Sequence, residues 1–386
     1  MTKRLFIIAA FMTPLASPAE SVTTSVQEVT ESSSQIGIKP TVSVSGGSTN
    51  NAIKLENGTG GSYGLLSPSI SFEYYPNDSV AAQFDASANL KEFSDKTLGS
   101  LANEKSLDTR GAIIWFVDDA WETGGDIGFL LMENRLPVQT SSSETMALLQ
   151  KYSEPDVRAY LAWSKNNLFW EAGAGARRRD YSTDMIDRGN TFQNDYDQLS
   201  GDLKIGYEFP KKIKISLRGI FEEKTYKYRP ADFSDGAASP SGDPHPNLKE
   251  TSNEVGLPIE YKIGSLSFVT TPAIRNNKDR IFGARDSQTL KLQQKVSWAI
   301  TNKLKWAPAL NYSQESFVKF RSQPEADPFG SPLRVDKDLS ITSPLKYSLT
   351  DTTAINLDYS YSKRDSNYAN SSYIEQAISA GFTVGI

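Results

Sequence analysis

Apolar and polar residues alternate over much of this chain with a period of two, the mark of strands with one apolar face rather than of helices. Between Val80 and Lys91, one side collects Val80, Ala82, Phe84, Ala86, Ala88 and Leu90, and the other Gln83, Asp85, Ser87, Asn89 and Lys91. Wound as a helix, the same stretch would scatter its charges around the circumference. The pattern returns in Leu203, Ile205, Tyr207 and Phe209, in Ile213, Ile215 and Leu217, and in Ile355, Leu357, Tyr359 and Tyr361. Comparable segments begin near Gln35, Leu66, Leu107, Gly125, Asp156, Leu168, Glu254, Leu266, Thr289, Leu304, Leu339 and Tyr373. About sixteen strands result, each long enough for the roughly 9–11 residues with which a tilted strand crosses a bilayer.

The connectors alternate as well. Short turns fall at Pro76-Asn77-Asp78, Lys165-Asn166-Asn167, Pro210-Lys211-Lys212, Gly264-Ser265, Thr301-Asn302-Lys303 and Thr350-Asp351-Thr352. Between them lie long polar stretches, from Gly46 to Gly61, Ser94 to Glu104, Pro137 to Ser153, Tyr181 to Asn194, Pro230 to Lys249 and Arg321 to Arg334. A soluble β-sandwich has no reason to place every long loop at one end. A membrane barrel does, with tight periplasmic turns and long external loops. Sixteen strands also leave the first and the last on the short-turn side. Aromatic residues mark strand ends at Tyr74, Tyr75, Trp115, Phe116, Trp163, Phe169, Trp170, Tyr207, Phe209, Trp298, Trp306 and Tyr347, mostly beside short turns, as an interfacial girdle would. The predicted fold is all-β: a transmembrane antiparallel β-barrel over residues 35–386, of about sixteen strands.

Composition narrows the classes further. Only 38% of the residues are hydrophobic, and no second long apolar run exists, which excludes an α-helical membrane protein. A barrel tolerates this average because half of each strand faces a wet lumen. The chain opens with Lys3 and Arg4, then Leu5 to Met12, then Ser17-Pro18-Ala19, the three-part pattern of a secretory signal peptide over residues 1–19. Residues 20–34 are Ser/Thr-rich and read as a polar periplasmic segment. There is no cysteine, so there are no disulfides and no lipid anchor on an N-terminal Cys. A net charge of −5 argues against nucleic acid as a partner.

The final segment, Tyr373-Ile374-Glu375-Gln376-Ala377-Ile378-Ser379-Ala380-Gly381-Phe382-Thr383-Val384-Gly385-Ile386, resembles the closing strand of bacterial outer-membrane proteins. Many members end in Phe; here Phe382 stands four places before Ile386. The resemblance is one of class, covers the mature chain and identifies no single family. It implies contact with outer-membrane lipid and lipopolysaccharide, and insertion by the barrel-assembly machinery.

Candidate chemistry favours transport over catalysis. The single histidine, His245, sits between prolines in the longest expected loop, with no evident orienting partner. No Cys/His cluster suggests a metal and no Gly-rich loop a phosphate, so no cofactor is expected. Glu222-Glu223 reads as a solvated rim. The polar partners of the alternating pairs give an interior rich in base. Lys39, Lys91, Arg110, Lys204 and Lys214 belong to it, together with Arg158, Arg177, Arg179 and Arg218 around mid-chain and Lys262, Arg275, Lys291, Lys295, Lys305 and Lys346 on consecutive later strands. Interior acids are Glu73, Asp85, Asp108, Glu171, Asp202, Glu208, Glu254, Glu260, Glu315 and Asp358.

Such a stripe of base would favour anions in a water-filled pore; equally, these bases could pair with the acids and plug the lumen. Gly173 and Gly175 could mark the approach of a folded-in loop, or equally only a bend or bulge, and the loop Pro230 to Lys249 is the natural lid. The reading is a porin-like outer-membrane channel for small polar, anionic solutes such as acidic sugars. The alternative is the barrel of a surface polysaccharide or protein export system acting with periplasmic partners, since Tyr361 to Asn367 is similar to the closing hairpins of such barrels.

Overall fold

The computed structural model describes residues 35–52, 58–96, 99, 102–139, 145–182, 185–187, 190–192, 194–210, 212–230, 246–321, 332–368 and 371–385. The expected signal peptide and the segment 20–34 lie outside them, as does His245. Sixteen antiparallel strands form one closed sheet. They are β1 (Gln35–Thr49), β2 (Gly61–Asn77), β3 (Val80–Phe93), β4 (Glu104–Phe116), β5 (Trp121–Gln139) and β6 (Thr145–Lys165). Then come β7 (Leu168–Tyr181), β8 (Tyr196–Phe209), β9 (Ile213–Pro230), β10 (Asn247–Gly256 continued by Ile259–Ile263) and β11 (Leu266–Asp279). The last five are β12 (Ser287–Ala299), β13 (Leu304–Trp306 continued by Ala309–Arg321), β14 (Leu333–Ser348), β15 (Thr353–Ser366) and β16 (Tyr373–Gly385). Each pairs with its neighbours in sequence, and β1 closes on β16 from Thr41↔Gly385 to Thr49↔Ala377.

Two strands are interrupted at prolines, which cannot donate to a ladder. The ladder survives by routing around them. Leu257 N–H donates to the Pro272 carbonyl at 2.9 Å while the Pro258 carbonyl accepts from Ser216 at 3.0 Å. Ala307 and Pro308 repeat the device, with Ala307 N–H donating to Pro344 at 3.1 Å and the Pro308 carbonyl accepting from Val296 at 2.9 Å. Short and long connectors alternate as predicted, and a further short turn, residues 117–120, joins β4 to β5. At the two-residue turn between β6 and β7, Asn166 and Asn167 take φ of 51° and 68°, the left-handed region that asparagine tolerates and a right-twisted hairpin requires.

The alternation resolves into two faces. Large apolar side chains lie outward and uncovered, among them Ile127 at 66% exposure, Trp115 at 57% and Phe382 at 57%. In water this surface would aggregate; on a closed barrel it is the lipid belt. All six tryptophans (115, 121, 163, 170, 298 and 306) sit on this outer face beside a short turn. Trp121 and Trp163 are cross-strand partners, as are Trp163 and Trp170, and Trp298 and Trp306. Trp121 meets Trp170 edge-on at 5.5 Å between centroids. This is a one-ended interfacial girdle. Tyr75, Phe116 and Phe169, counted with it in the sequence, instead occupy inward positions by strand parity.

The strands run longer at the loop end than the alternation suggested. The stretch from Pro137 to Ser153, expected as a loop, is mostly ladder: β5 and β6 pair as far as Gln139↔Thr145. Once clear of the lipid, a hairpin no longer needs an apolar face, so its period-two signal fades while its hydrogen bonds continue.

Candidate functional site: the barrel interior

Inward positions are those opposite the apolar face of each strand, and along β4 to β8 their charges form a lattice. Arg110 lies 3.1 Å from Asp156 and 3.7 Å from Asp126. Arg158 lies 2.6 Å from Glu171 and 3.2 Å from Asp202, which is two strands away. Glycines make room for both reaches. A Cβ on Gly173 would come within 2.7 Å of the Arg158 guanidinium and 2.8 Å of Asp202, and one on Gly128 within 3.1 Å of Arg110. Gly173 therefore accommodates a guanidinium and not the folded-in loop expected there. Beside Gly175, the nearest side-chain atom to such a Cβ is the Ser200 hydroxyl at 3.1 Å. Arg177 and Arg179 share one carboxylate, Glu154, with Arg177 at 3.2 Å. Lys204 lies 3.5 Å from Glu260, Lys214 lies 3.4 Å from Glu208, and Lys39 lies 3.2 Å from Glu73. Arg218 stands opposite Lys204 and Gly256.

A second network spans β8 to β12. Glu222, expected on a solvated rim, is a buried interior group in mid-strand. It accepts from Arg275 at 2.5 Å, from the Gln198 amide at 3.0 Å and from the Ser252 hydroxyl at 3.0 Å. Its neighbour Glu223 points the other way and pairs with Lys249 at 2.8 Å. Lys291 reaches Glu254 at 2.6 Å. The basic stripe read along the later strands is thus divided: Arg275 and Lys291 are neutralised.

Towards the loop end, the inner wall becomes aromatic. Tyr196 and Tyr226 meet at 5.6 Å, Arg179 lies over Tyr152 at 4.3 Å, and Lys224 lies over Tyr196 at 4.5 Å. Against Tyr196, Tyr226 and the fully covered Leu248 pack Ile281 and Phe282. These two belong to residues 280–286, the connector between β11 and β12, which therefore folds into the barrel. Asp279 holds it there, accepting from Ile281 N–H at 2.9 Å and Ala284 N–H at 3.2 Å. Lys319 donates to the Phe282 carbonyl at 3.1 Å, and Gly283 turns with φ of 68°. The sequence reading assigned the lid to Pro230–Lys249, of which residues 231–245 lie outside the described ones. An apolar pair flanked by Asp279, Gly283 and Asp286 was the signal for the inward loop.

The remaining predicted bases behave differently. Lys262 on β10, Lys295 on β12, Lys305 on β13 and Lys346 on β14 all face inward near the short-turn end. Lys305 and Lys346 are direct cross-strand partners. None of the four side chains has an ion pair or hydrogen bond among the described residues. The nearest interior acids are otherwise placed: Glu260 faces Lys204, and Asp358 stands opposite Pro344 and Ser379. Along β12 and β13 the inward positions Gln293, Lys295, Ser297, Lys305 and Asn311 are all exposed to water. One wall is laced with ion pairs, and the other is wet and positively charged.

Among the described residues no group of three or more His, Cys, Asp or Glu is arranged to hold a metal. No protein-family model matches the chain, and no curated protein matches it. Solved structures similar to it include OccAB4 of Acinetobacter baumannii, at 9% identity and TM-score 0.48, covering 90% of this chain and 98% of that one. OmpT of Vibrio cholerae matches at 9% identity and TM-score 0.47, covering 93% and 99%. An anion-selective porin from Comamonas acidovorans matches at 12% identity and TM-score 0.43, covering 92% and 100%. Its closed antiparallel barrel, apolar belt and one-ended tryptophan girdle give this chain the fold of a transmembrane β-barrel.

Proposed function

We propose that the protein is a diffusion channel for small polar solutes that favours anions, acidic sugars among them. The observation that carries this reading is the wet inner wall of β12 and β13, beside four lysines with no carboxylate partner among the described residues. Sixteen strands enclose more space than their inward side chains fill. Positive charge without counter-charge lowers the barrier for anions and raises their local concentration. The lattice on the opposite wall ties its arginines to carboxylates, so they add stiffness and little positive field. The basic-then-apolar N-terminal segment supports export, and the apolar belt supports an outer-membrane site in contact with lipopolysaccharide after insertion by the assembly machinery.

Liposome swelling tests the reading. Vesicles carrying the purified protein are expected to admit galactose, and galacturonate several-fold faster. Vesicles that swell no faster than protein-free ones would overturn the channel and redirect attention to an export or assembly role with periplasmic partners.

A further inference from the structure

The four free lysines are more than a diffuse field. Lys305 and Lys346 stand directly opposite one another, a placement that brings their Cβ atoms within about 5 Å and sets like charges side by side. A sheet normally avoids that pairing unless something offsets it. Among the described residues no carboxylate does so: Glu260 faces Lys204, and Asp358 is two positions farther along β15 than Asn356, the residue opposite Lys346. Lys295 adds a third ammonium from β12, and Lys262 a fourth from β10.

The surroundings narrow the ligand. Inward neighbours on these strands are mostly small or amide-bearing, such as Ser267, Gln293, Ser297, Asn311 and Ser348, with Val269 opposite Lys295. No aromatic ring faces inward on the short-turn half of β10 to β14, so nothing there offers a stacking surface for a sugar ring. Nor is there an arginine, whose planar fork suits a single carboxylate held bidentately. Several compact ammonium groups along one stretch of wall, without a fork, suit a small oxyanion of high charge, for which lysine acts as a point charge.

Resting on the channel reading, we propose that Lys305 and Lys346, with Lys295 and Lys262, form a binding station for phosphate or diphosphate groups at the short-turn end of the lumen. The ligand is a free inorganic anion or the phosphate of a small metabolite; both present the same chemistry to the lysines.

The test is block of chloride current through the full-length protein in a planar bilayer, at fixed ionic strength, by inorganic pyrophosphate, glycerol 3-phosphate and gluconate. Pyrophosphate is expected to half-block the wild type at a concentration at least tenfold below gluconate. The K305S/K346S variant should lose that advantage, and K305R/K346R should keep most of it. Block by glycerol 3-phosphate as strong as by pyrophosphate would assign the station to phosphorylated metabolites, and weaker block to the free anion. Pyrophosphate binding to the protein in detergent micelles, read by phosphorus NMR line width, gives an answer that needs no current. A protein that conducts anions but whose pyrophosphate affinity is the same in wild type and K305S/K346S overturns the station and leaves the channel standing. A protein that carries no current but binds pyrophosphate through these lysines overturns the channel and leaves the station.

Discussion

Arg158 satisfies two carboxylates, Glu171 on the next strand and Asp202 on the one beyond, because Gly173 between them has no side chain. Removing the guanidinium would leave two half-buried acids without a partner. Arg158→Met is therefore expected to destabilise the barrel by about 1–3 kcal/mol, read as a lower urea midpoint in lipid vesicles. Adding E171Q and D202N should recover most of the loss, since neutral amides do not need the charge. An unchanged midpoint for Arg158→Met would mean that water already screens the group. Parity along the strand places Arg158 inward from sequence alone. It says nothing of Asp202, which comes into reach only through closure, curvature and a missing Cβ two strands across. The same limit hid the partners of Arg110 and Arg275, and so hid which members of the basic stripe remain free.

At the scale of elements, all sixteen strands announce themselves by alternation, because lipid on one side and water on the other constrain every second residue. That constraint stops at the edge of the bilayer. Hence the ladder of β5 and β6 beyond Pro137 left no pattern, and the short inward connector of residues 280–286 was overlooked beside longer polar loops. Its role is open to test. Phe282→Ala removes the ring packed on Tyr196, Tyr226 and Leu248, and is expected to raise single-channel conductance while costing about 1–3 kcal/mol of stability. Conductance equal to that of the wild type would show that this connector does not narrow the pore. The tryptophans make a second expectation at this scale. Lipids brominated near the headgroup should quench their emission more than lipids brominated at the chain ends, since all six belong to one interfacial girdle. Stronger quenching from the bilayer centre would contradict that placement.

The whole molecule is a barrel with two unlike inner walls. From β4 to β8, base and acid are laid against each other: Arg110 and Arg158 each meet two carboxylates, while Arg177 and Arg179 share Glu154. Near the short turns of β10 to β14, four lysine side chains have no ion-pair partner among the described residues. Positive charge is thus left over on one stretch of wall, and the proposed anion preference rests on those four groups rather than on the total number of interior bases. Exchanging Lys262, Lys295, Lys305 and Lys346 for glutamate should reverse that preference without disturbing the lattice on the other wall, since these side chains bind nothing within it.

The most direct measurement is the reversal potential of the purified protein in a planar bilayer under a tenfold potassium chloride gradient, alongside the four-glutamate variant. Open channels are expected, with a potential of the sign of chloride preference in the wild type and the opposite sign in the variant. A wild type that is closed, or that prefers potassium, would contradict this expectation.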